Sequence, residues 1–433
     1  MAGPLQSGVP SPPTWVGQSA SLARCQRSLG DPRHTFDLYP ALSAGCPRIS
    51  TDDVAYPVEI GFDYDELDPA IFDQAPLPGL DRWAALLPPL MPGLSMGEGG
   101  TALVPSPGLA ACAGVTSSVY VKDESGNPTW SHKDRFNLCT VSTAAAQGAR
   151  GIAVASTGNH GASAAAYAAR AGLPCVVVVA GTTDERFRTF IEAYGACVVS
   201  VGMAERMGVV RHLARHHELH PVGNLTDAGH TGHPFGPEGY KTIAYEIFAA
   251  PGGRVPETII VPTGYGELLF GIYKGFRELR EFDRIERLPR LVAVEPENLG
   301  PLRAAVDAGL PVARVPAGPS VATGIAAAVS SYRGVVALRE TAGLAIGVDD
   351  GEIAAASEIM SRSGHWQEMS GAASLAALIK LKRLDGEPGT TVLLATSSGL
   401  KEPARDRRPV ADPGDRMATI DRLVEAYLQA GPR

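Results

Sequence analysis

The 433-residue sequence lacks paired cysteines, a surplus of basic residues, and any apolar run long enough to cross a bilayer. Each absence removes a class of function. The six cysteines (Cys25, Cys46, Cys112, Cys139, Cys175 and Cys197) include no CxxC and no zinc-like spacing, so neither a disulfide framework nor a metal site is expected. Lysine and arginine total 38 against 46 aspartates and glutamates, a formal charge of −8. That balance gives no electrostatic footprint for nucleic acid. The longest apolar stretches, such as Cys175 to Ala180, are far shorter than a membrane span. Pro, Ser and Gly interrupt the N-terminus where a signal peptide would need an apolar core. The expectation is a cytoplasmic protein with neither nucleic-acid nor membrane partners.

What is present is a globular composition, 45% hydrophobic and 19% charged, with 49 glycines and 35 prolines. The length suits two lobes with extensions. Residues 1 to about 50 are rich in Pro, Ser and Gly without periodicity, and read as a poorly ordered N-terminal extension. A short helix-like run covers Arg82 to Leu90, and Ser118 to Lys122 reads as a strand. Thereafter strands and helices alternate. A helix over about 137–149 precedes the strand Ile152–Ala155, and a second helix runs to about Ala171. The strand Cys175–Val179, a helix over 184–194, the strand Cys197–Val201 and a helix over 204–217 follow. Thr258–Val261, Leu291–Val294 and Thr391–Leu394 continue the scheme, and a surface helix is expected over Met417–Leu428. Short apolar strands separated by helices predict an α/β fold with parallel sheet covered on both faces.

In such sheets ligands bind beyond the carboxyl ends of the strands, where helix N-termini offer free N–H groups to anions. Two strand-to-helix loops qualify. Ser156-Thr157-Gly158-Asn159-His160-Gly161 contains two glycines and opens a helix. Pro262-Thr263-Gly264-Tyr265-Gly266-Glu267-Leu268 does the same, although the Glu267 carboxylate suits a phosphate site only if it turns away. Taken alone, a loop of this kind is more often simple turn chemistry. Between them in interest stands Lys133, inside Ser131-His132-Lys133-Asp134-Arg135. A lysine forms an imine only when burial or a nearby cation lowers its pKa. By itself this run reads first as a solvated charged cluster.

The constellation is more specific. Asn127-Pro128-Thr129 with Ser131-His132-Lys133-Asp134-Arg135 resembles NPTGSFKDR, the cofactor-lysine motif of threonine synthases, and Ser156-Thr157-Gly158-Asn159 resembles their STGN loop. In the same chain order, Glu98-Gly99-Gly100-Thr101 resembles EGGTPL. Glu238-Gly239 with Lys241-Thr242 resembles EGQKT, and Thr396 with Gly399-Leu400-Lys401 resembles TGHGLK. The resemblance, over roughly residues 82–405, is to pyridoxal-phosphate enzymes of fold type II. It implies two open, twisted, mostly parallel-sheet domains with the cofactor in the cleft between them. The larger would comprise 51–135 and 235–433, the smaller 136–234. It further implies that Lys133 forms the internal imine with pyridoxal 5′-phosphate and shuttles protons. Asn159 would hold the ring hydroxyl, and Thr396 would face the pyridine nitrogen. Gly264, Tyr265, Gly266, Glu267 and Leu268 would cradle the phosphate. Ser156, Thr157, His160, His132 and Lys241 are candidates for holding an amino-acid substrate, and family analogy implies a homodimer.

Five positions depart from the threonine-synthase pattern, one of them Tyr240 in place of the Gln of EGQKT. Trp130 stands in place of Gly, His132 in place of Phe, and His160 in place of Thr. Gly236 stands where NPYRLEGQKT has the arginine that helps hold the substrate phosphate. The leading expectation is therefore elimination or replacement on an amino acid. It is most like threonine synthase, which turns O-phosphohomoserine into threonine and phosphate, or a diverged paralogue. The alternative is a serine/threonine dehydratase or diaminopropionate-type ammonia-lyase giving a 2-oxo acid and ammonia. A third reading, an inactive binding relative, has intact Lys133, Asn159 and Thr396 against it.

Overall fold

The computed structural model describes residues 20–402, apart from 74, 76 and 251–254, together with 422 and 424. The helix expected over Met417–Leu428 therefore lies, but for two residues, outside the described residues. Residues up to Lys401 form one unit, and the fold described below belongs to it.

The chain opens with an antiparallel sheet of β1 (Ala23–Ser28), β2 (Thr35–Asp37) and β3 (Val58–Phe62), ordered β2-β1-β3. This corrects the expectation of poor order over residues 20–50. Polar residues mask the pattern. Gln26 is buried, its Nε2 donating to the carbonyls of Asp37, Leu38 and Pro40 while its Oε1 accepts from the Leu42 N–H. The glutamine thus satisfies a turn that no apolar repeat announces. Residues 1–19 lie outside the described residues.

Next come β4 (Leu103–Pro105), α1 (Pro107–Ala113), β5 (Val119–Asp123) and α2 (Lys133–Ala146). A four-stranded parallel sheet follows, made of β6 (Ile152–Ala155), β7 (Cys175–Ala180), β8 (Cys197–Val201) and β9 (His220–Pro221). Its strands alternate with α3 (Asn159–Ala171), α4 (Glu185–Ala193) and α5 (Arg206–His217), and their order is β8-β7-β6-β9. Then α6 (Gly236–Ala249), β10 (Thr258–Pro262), α7 (Glu267–Glu281), β11 (Arg290–Pro296) and α8 (Pro301–Asp307) return the chain to the sheet that holds β4 and β5. The series α9 (Tyr332–Glu340), β12 (Leu344–Val348), α10 (Asp350–Arg362), α11 (Met369–Asp385) and β13 (Thr391–Ala395) completes it. That sheet has the order β12-β11-β10-β13-β5-β4, parallel except for the antiparallel β4–β5 edge. Every residue of β10 and β13 is buried, as strands covered on both faces require.

Helix α2 starts four residues before the sequence pattern places it, and burial extends around it from Asp134 to Ala144. Its packing on α6 is close because of two glycines. A Cβ at Gly239 would fall onto the Arg135 carbonyl, and one at Gly236 onto the Phe136 ring, each inside any real contact distance. Among the described residues no helix is long and apolar enough to cross a membrane.

Candidate active site

The charged run around Lys133 is not a solvated cluster. Arg135 is buried between Glu124, at 2.7 Å, and Glu246, at 2.5 Å. Asp134, pushed up to about 6 by burial, accepts from the Thr129 N–H (2.6 Å), Thr129 Oγ1 (2.5 Å) and Ser163 Oγ (2.6 Å). These bonds anchor the start of α2 to α3. The exit of β13 holds the other side: His132 N–H and Nδ1 each lie 3.0 Å from the Thr396 carbonyl, and Ser397 Oγ donates to the Trp130 carbonyl at 2.9 Å. A carbonyl only accepts, so His132 carries its proton on Nδ1. Burial holds its pKa well below the usual histidine value.

Lys133 is the first residue of α2, and its Nζ donates to the Tyr240 hydroxyl on α6 at 3.0 Å. Burial lowers its pKa, against the opposing charge of Glu267. Burial thus biases the amine toward its neutral, nucleophilic form. The Nζ lies 5.5 Å from the Tyr240 ring centre and 5.8 Å from that of Phe136.

Asn159 opens α3, and three side chains reach its amide. Lys401 Nζ donates to Oδ1 at 2.6 Å and Ser397 Oγ, its proton given to Trp130, lies 3.3 Å from it, while Nδ2 donates to Glu368 Oε2 at 2.8 Å. Burial brings Lys401 down to about 8. Ser156 Oγ accepts the N–H groups of Gly158 (3.3 Å) and Gly161 (2.9 Å), shaping the turn that presents Asn159. Thr157 lies on the same turn, half-buried. Thr396 is buried beside His132.

The second loop leaves β10 at Pro262 and enters α7 at Glu267. Gly266 has φ +81°, and a Cβ there would come within 2.9 Å of Gly334 Cα, so glycine fits on both counts. The first N–H groups of α7 have no carbonyl of their own helix to bond, and the helix dipole favours an anion there. Glu267 is engaged elsewhere. Its carboxylate takes hydrogen bonds from His230 Nε2 and the His233 N–H, both at 3.3 Å. Burial would raise its pKa, but the His230 bond and the nearby charges of Lys133 and Arg333 hold it at about 2. Tyr265 stacks on His230 with ring centres 3.9 Å apart, and Leu268 is buried.

Two expected substrate ligands are committed to the scaffold. Lys241 Nζ is wholly buried between Glu278 (2.8 Å) and Glu238 (3.1 Å), over the Phe62 ring. It ties α6 to α7 and does not line a substrate pocket. His160 has both ring nitrogens occupied: Nε2 donates to the Val222 carbonyl at 3.0 Å and Nδ1 accepts from Asn137 Nδ2 at 3.3 Å. Burial, with Lys133 nearby, holds it at about 4.

Four residues of this site carry no motif of their own: Tyr240, Phe136, Glu368 and Phe190. Tyr240 departs from EGQKT, which is the one signal that pointed to it. Trp130 keeps the left-handed backbone, φ +60°, of the glycine it replaces in the pattern, and its ring stacks on Phe190 of α4 at 5.8 Å.

Comparison with known proteins agrees with this geometry. A family model described as "Pyridoxal-phosphate dependent enzyme" matches residues 94–397. A threonine synthase of Methanosarcina acetivorans is 32% identical over 362 residues, covering 82% of this chain and 86% of its own. One of Halalkalibacterium halodurans is 33% identical over 344 residues, covering 77% and 92%. Among solved structures, a threonine deaminase from T.th. superposes with a TM-score of 0.60 at 25% identity, covering 71% of this chain and 94% of that one. Maize serine racemase, at 19% identity and TM-score 0.60 over 76% and 93%, shares the fold.

Proposed function

Because the chain belongs to the pyridoxal-phosphate-dependent enzymes, as a threonine-synthase-like lyase of fold type II, we propose that it eliminates a leaving group from an amino acid whose side chain carries no phosphate. The carrying observation is the filling of Gly236's side-chain space by the Phe136 ring. No guanidinium can project from that position to grip a phosphate.

The residues present fit the cofactor. Lys133 would hold it through its half-buried amine, Asn159 Nδ2 would meet the ring hydroxyl, and Thr396 would meet the pyridine nitrogen. The Gly264–Leu268 turn would receive the phosphate, since Glu267 is drawn off by His230 and His233. Pyridoxal phosphate, when bound, supplies an electron sink for bond breaking at the substrate Cα. Lys133 Nζ, released when the substrate's own amine takes its place, would receive the Cα proton, and the Tyr240 hydroxyl at 3.0 Å would keep Nζ oriented. The Phe136 and Tyr240 ring centres lie 5.8 and 5.5 Å from Nζ, while Lys133 keeps part of its surface open to an incoming ligand.

The names of the sequence relatives favour a second reading, threonine synthesis from O-phosphohomoserine. One panel separates them. Purified enzyme is offered serine, threonine, diaminopropionate and O-phosphohomoserine, with ammonia, 2-oxo acid and phosphate measured. Ammonia and 2-oxo acid from an unphosphorylated substrate are expected. Phosphate and threonine from O-phosphohomoserine alone would select the second reading. Cytoplasmic location and a homodimer belong to the same reading by family analogy, and sedimentation of the holoenzyme tests the latter.

A further inference from the structure

We propose that Lys401 and Glu368 are positioning residues that lock the Asn159 side-chain amide, so that Nδ2 stays available as donor to the cofactor's ring hydroxyl. This rests on the reading of Asn159 as the ligand of that hydroxyl. The lysine of Gly399-Leu400-Lys401 has no other role in the chemistry described above, and Glu368 belongs to no motif at all.

An asparagine amide has an accepting end and a donating end, and its partners decide which way it faces. Lys401 Nζ, a donor only, sits 2.6 Å from Oδ1. Glu368, an acceptor when ionised, sits 2.8 Å from Nδ2. A flipped amide would set N–H against ammonium and oxygen against carboxylate, so the two charges act together on a single orientation. Ser397 Oγ also lies 3.3 Å from Oδ1, but its one proton goes to the Trp130 carbonyl at 2.9 Å, so Lys401 is the donor that fixes Oδ1. Nδ2 carries two hydrogens; Glu368 takes one, which leaves the other for a ligand. An ammonium on Oδ1 also polarises the amide and strengthens its remaining N–H as a donor.

The three residues come from separate parts of the chain. Asn159 opens α3, Glu368 precedes α11, and Lys401 follows β13. The clamp therefore forms only where the two parallel sheets present their loops to each other. Lys401 is itself buried, its Nζ 5.5 Å from the Phe190 ring centre.

The test strips and re-adds pyridoxal phosphate to the full-length protein. It reads the dissociation constant and the ratio of the long- to the short-wavelength absorbance band of the bound cofactor. Lys401→Met and Glu368→Leu are each expected to weaken cofactor binding about tenfold, the scale of one charge-assisted hydrogen bond. Both should also move absorbance toward the short-wavelength band. Asn159→Ala should do the same. If Lys401→Met does not fold, Lys401→Gln, one bond too short to reach Asn159 Oδ1, replaces it with the same expectation. A folded Lys401 variant with wild-type affinity and band ratio, beside an Asn159→Ala that loses both, overturns the proposal. An Asn159→Ala with wild-type affinity and band ratio overturns the premise, and the proposal with it.

Discussion

At Gly236 the nearest neighbours of a built side chain would be ring carbons of Phe136, and Phe136 in turn sits 5.8 Å from the Lys133 amine. The two residues share one volume, so a change at either is a change in what the substrate meets. Gly236→Arg alone should fold poorly, because it overfills this contact. The paired change Phe136→Gly with Gly236→Arg restores both the space and the guanidinium. It is expected to raise kcat/KM for O-phosphohomoserine at least about tenfold, the value of one bidentate anion contact. Phosphate release measures it, and an unchanged rate would show that Phe136 does not exclude the phosphate. Residue identities near Lys133 were readable because motifs carry them. The Phe136–Gly236 exchange was half readable: the lost arginine shows in the sequence, while the ring that replaces it lies about a hundred positions away.

Between α6 and α7 a buried ion network runs beside the apolar packing. Lys241 is held by Glu238 and Glu278, Lys274 by Glu238 and Glu59, and Arg277 by Glu59. Removing one cation from such a network leaves carboxylates buried and uncompensated. Lys241→Met is therefore expected to cost about 3–5 kcal/mol of stability in denaturant unfolding. The same variant, in its folded fraction, should keep the wild-type KM. A raised KM with unchanged stability would return Lys241 to the substrate site. This network explains why the motif misled: a lysine in a family signature suggests ligand binding, yet here it joins helices. The alternation of strands and helices from β5 to α5, and later strands such as Thr258–Val261, were legible in short β-branched runs, whereas β9 and α6 were not placed. Strand β12 (Leu344–Val348) was not, since Ala345 and Gly347 dilute its pattern, and β1 was hidden by Gln26 and Arg27.

Over the whole molecule the buried histidines set the response to acid. Burial holds His160 and His220 at about 4, against 6.5 in an open chain, and pushes His132 and His233 down as well. Between those values the unfolded chain binds protons that the folded one refuses, so stability falls as pH falls. Each of His160 and His220 removes roughly 3 kcal/mol by the bottom of the window. Asp134 opposes them. Burial pushes it up to about 6 from 3.8, so below pH 6 the folded state takes its proton first and gains about 3 kcal/mol. Burial raises Asp81, Glu281 and Glu295 as well, while paired carboxylates such as Glu257, Glu278 and Glu297 are lowered and act with the histidines, so the melting temperature is expected to drop from about pH 6.5 to pH 4. A flat or rising profile would mean that these imidazoles are not buried neutral.

The proposed chemistry depends on two mostly parallel sheets bringing their loops around one amine, that of Lys133. Borohydride reduction of the holoenzyme followed by peptide mass spectrometry tests it directly. The adduct of pyridoxal phosphate is expected on the peptide containing Lys133, and Lys133→Ala should carry none. An adduct on Lys401 instead, or none on wild-type protein saturated with cofactor, would contradict the account.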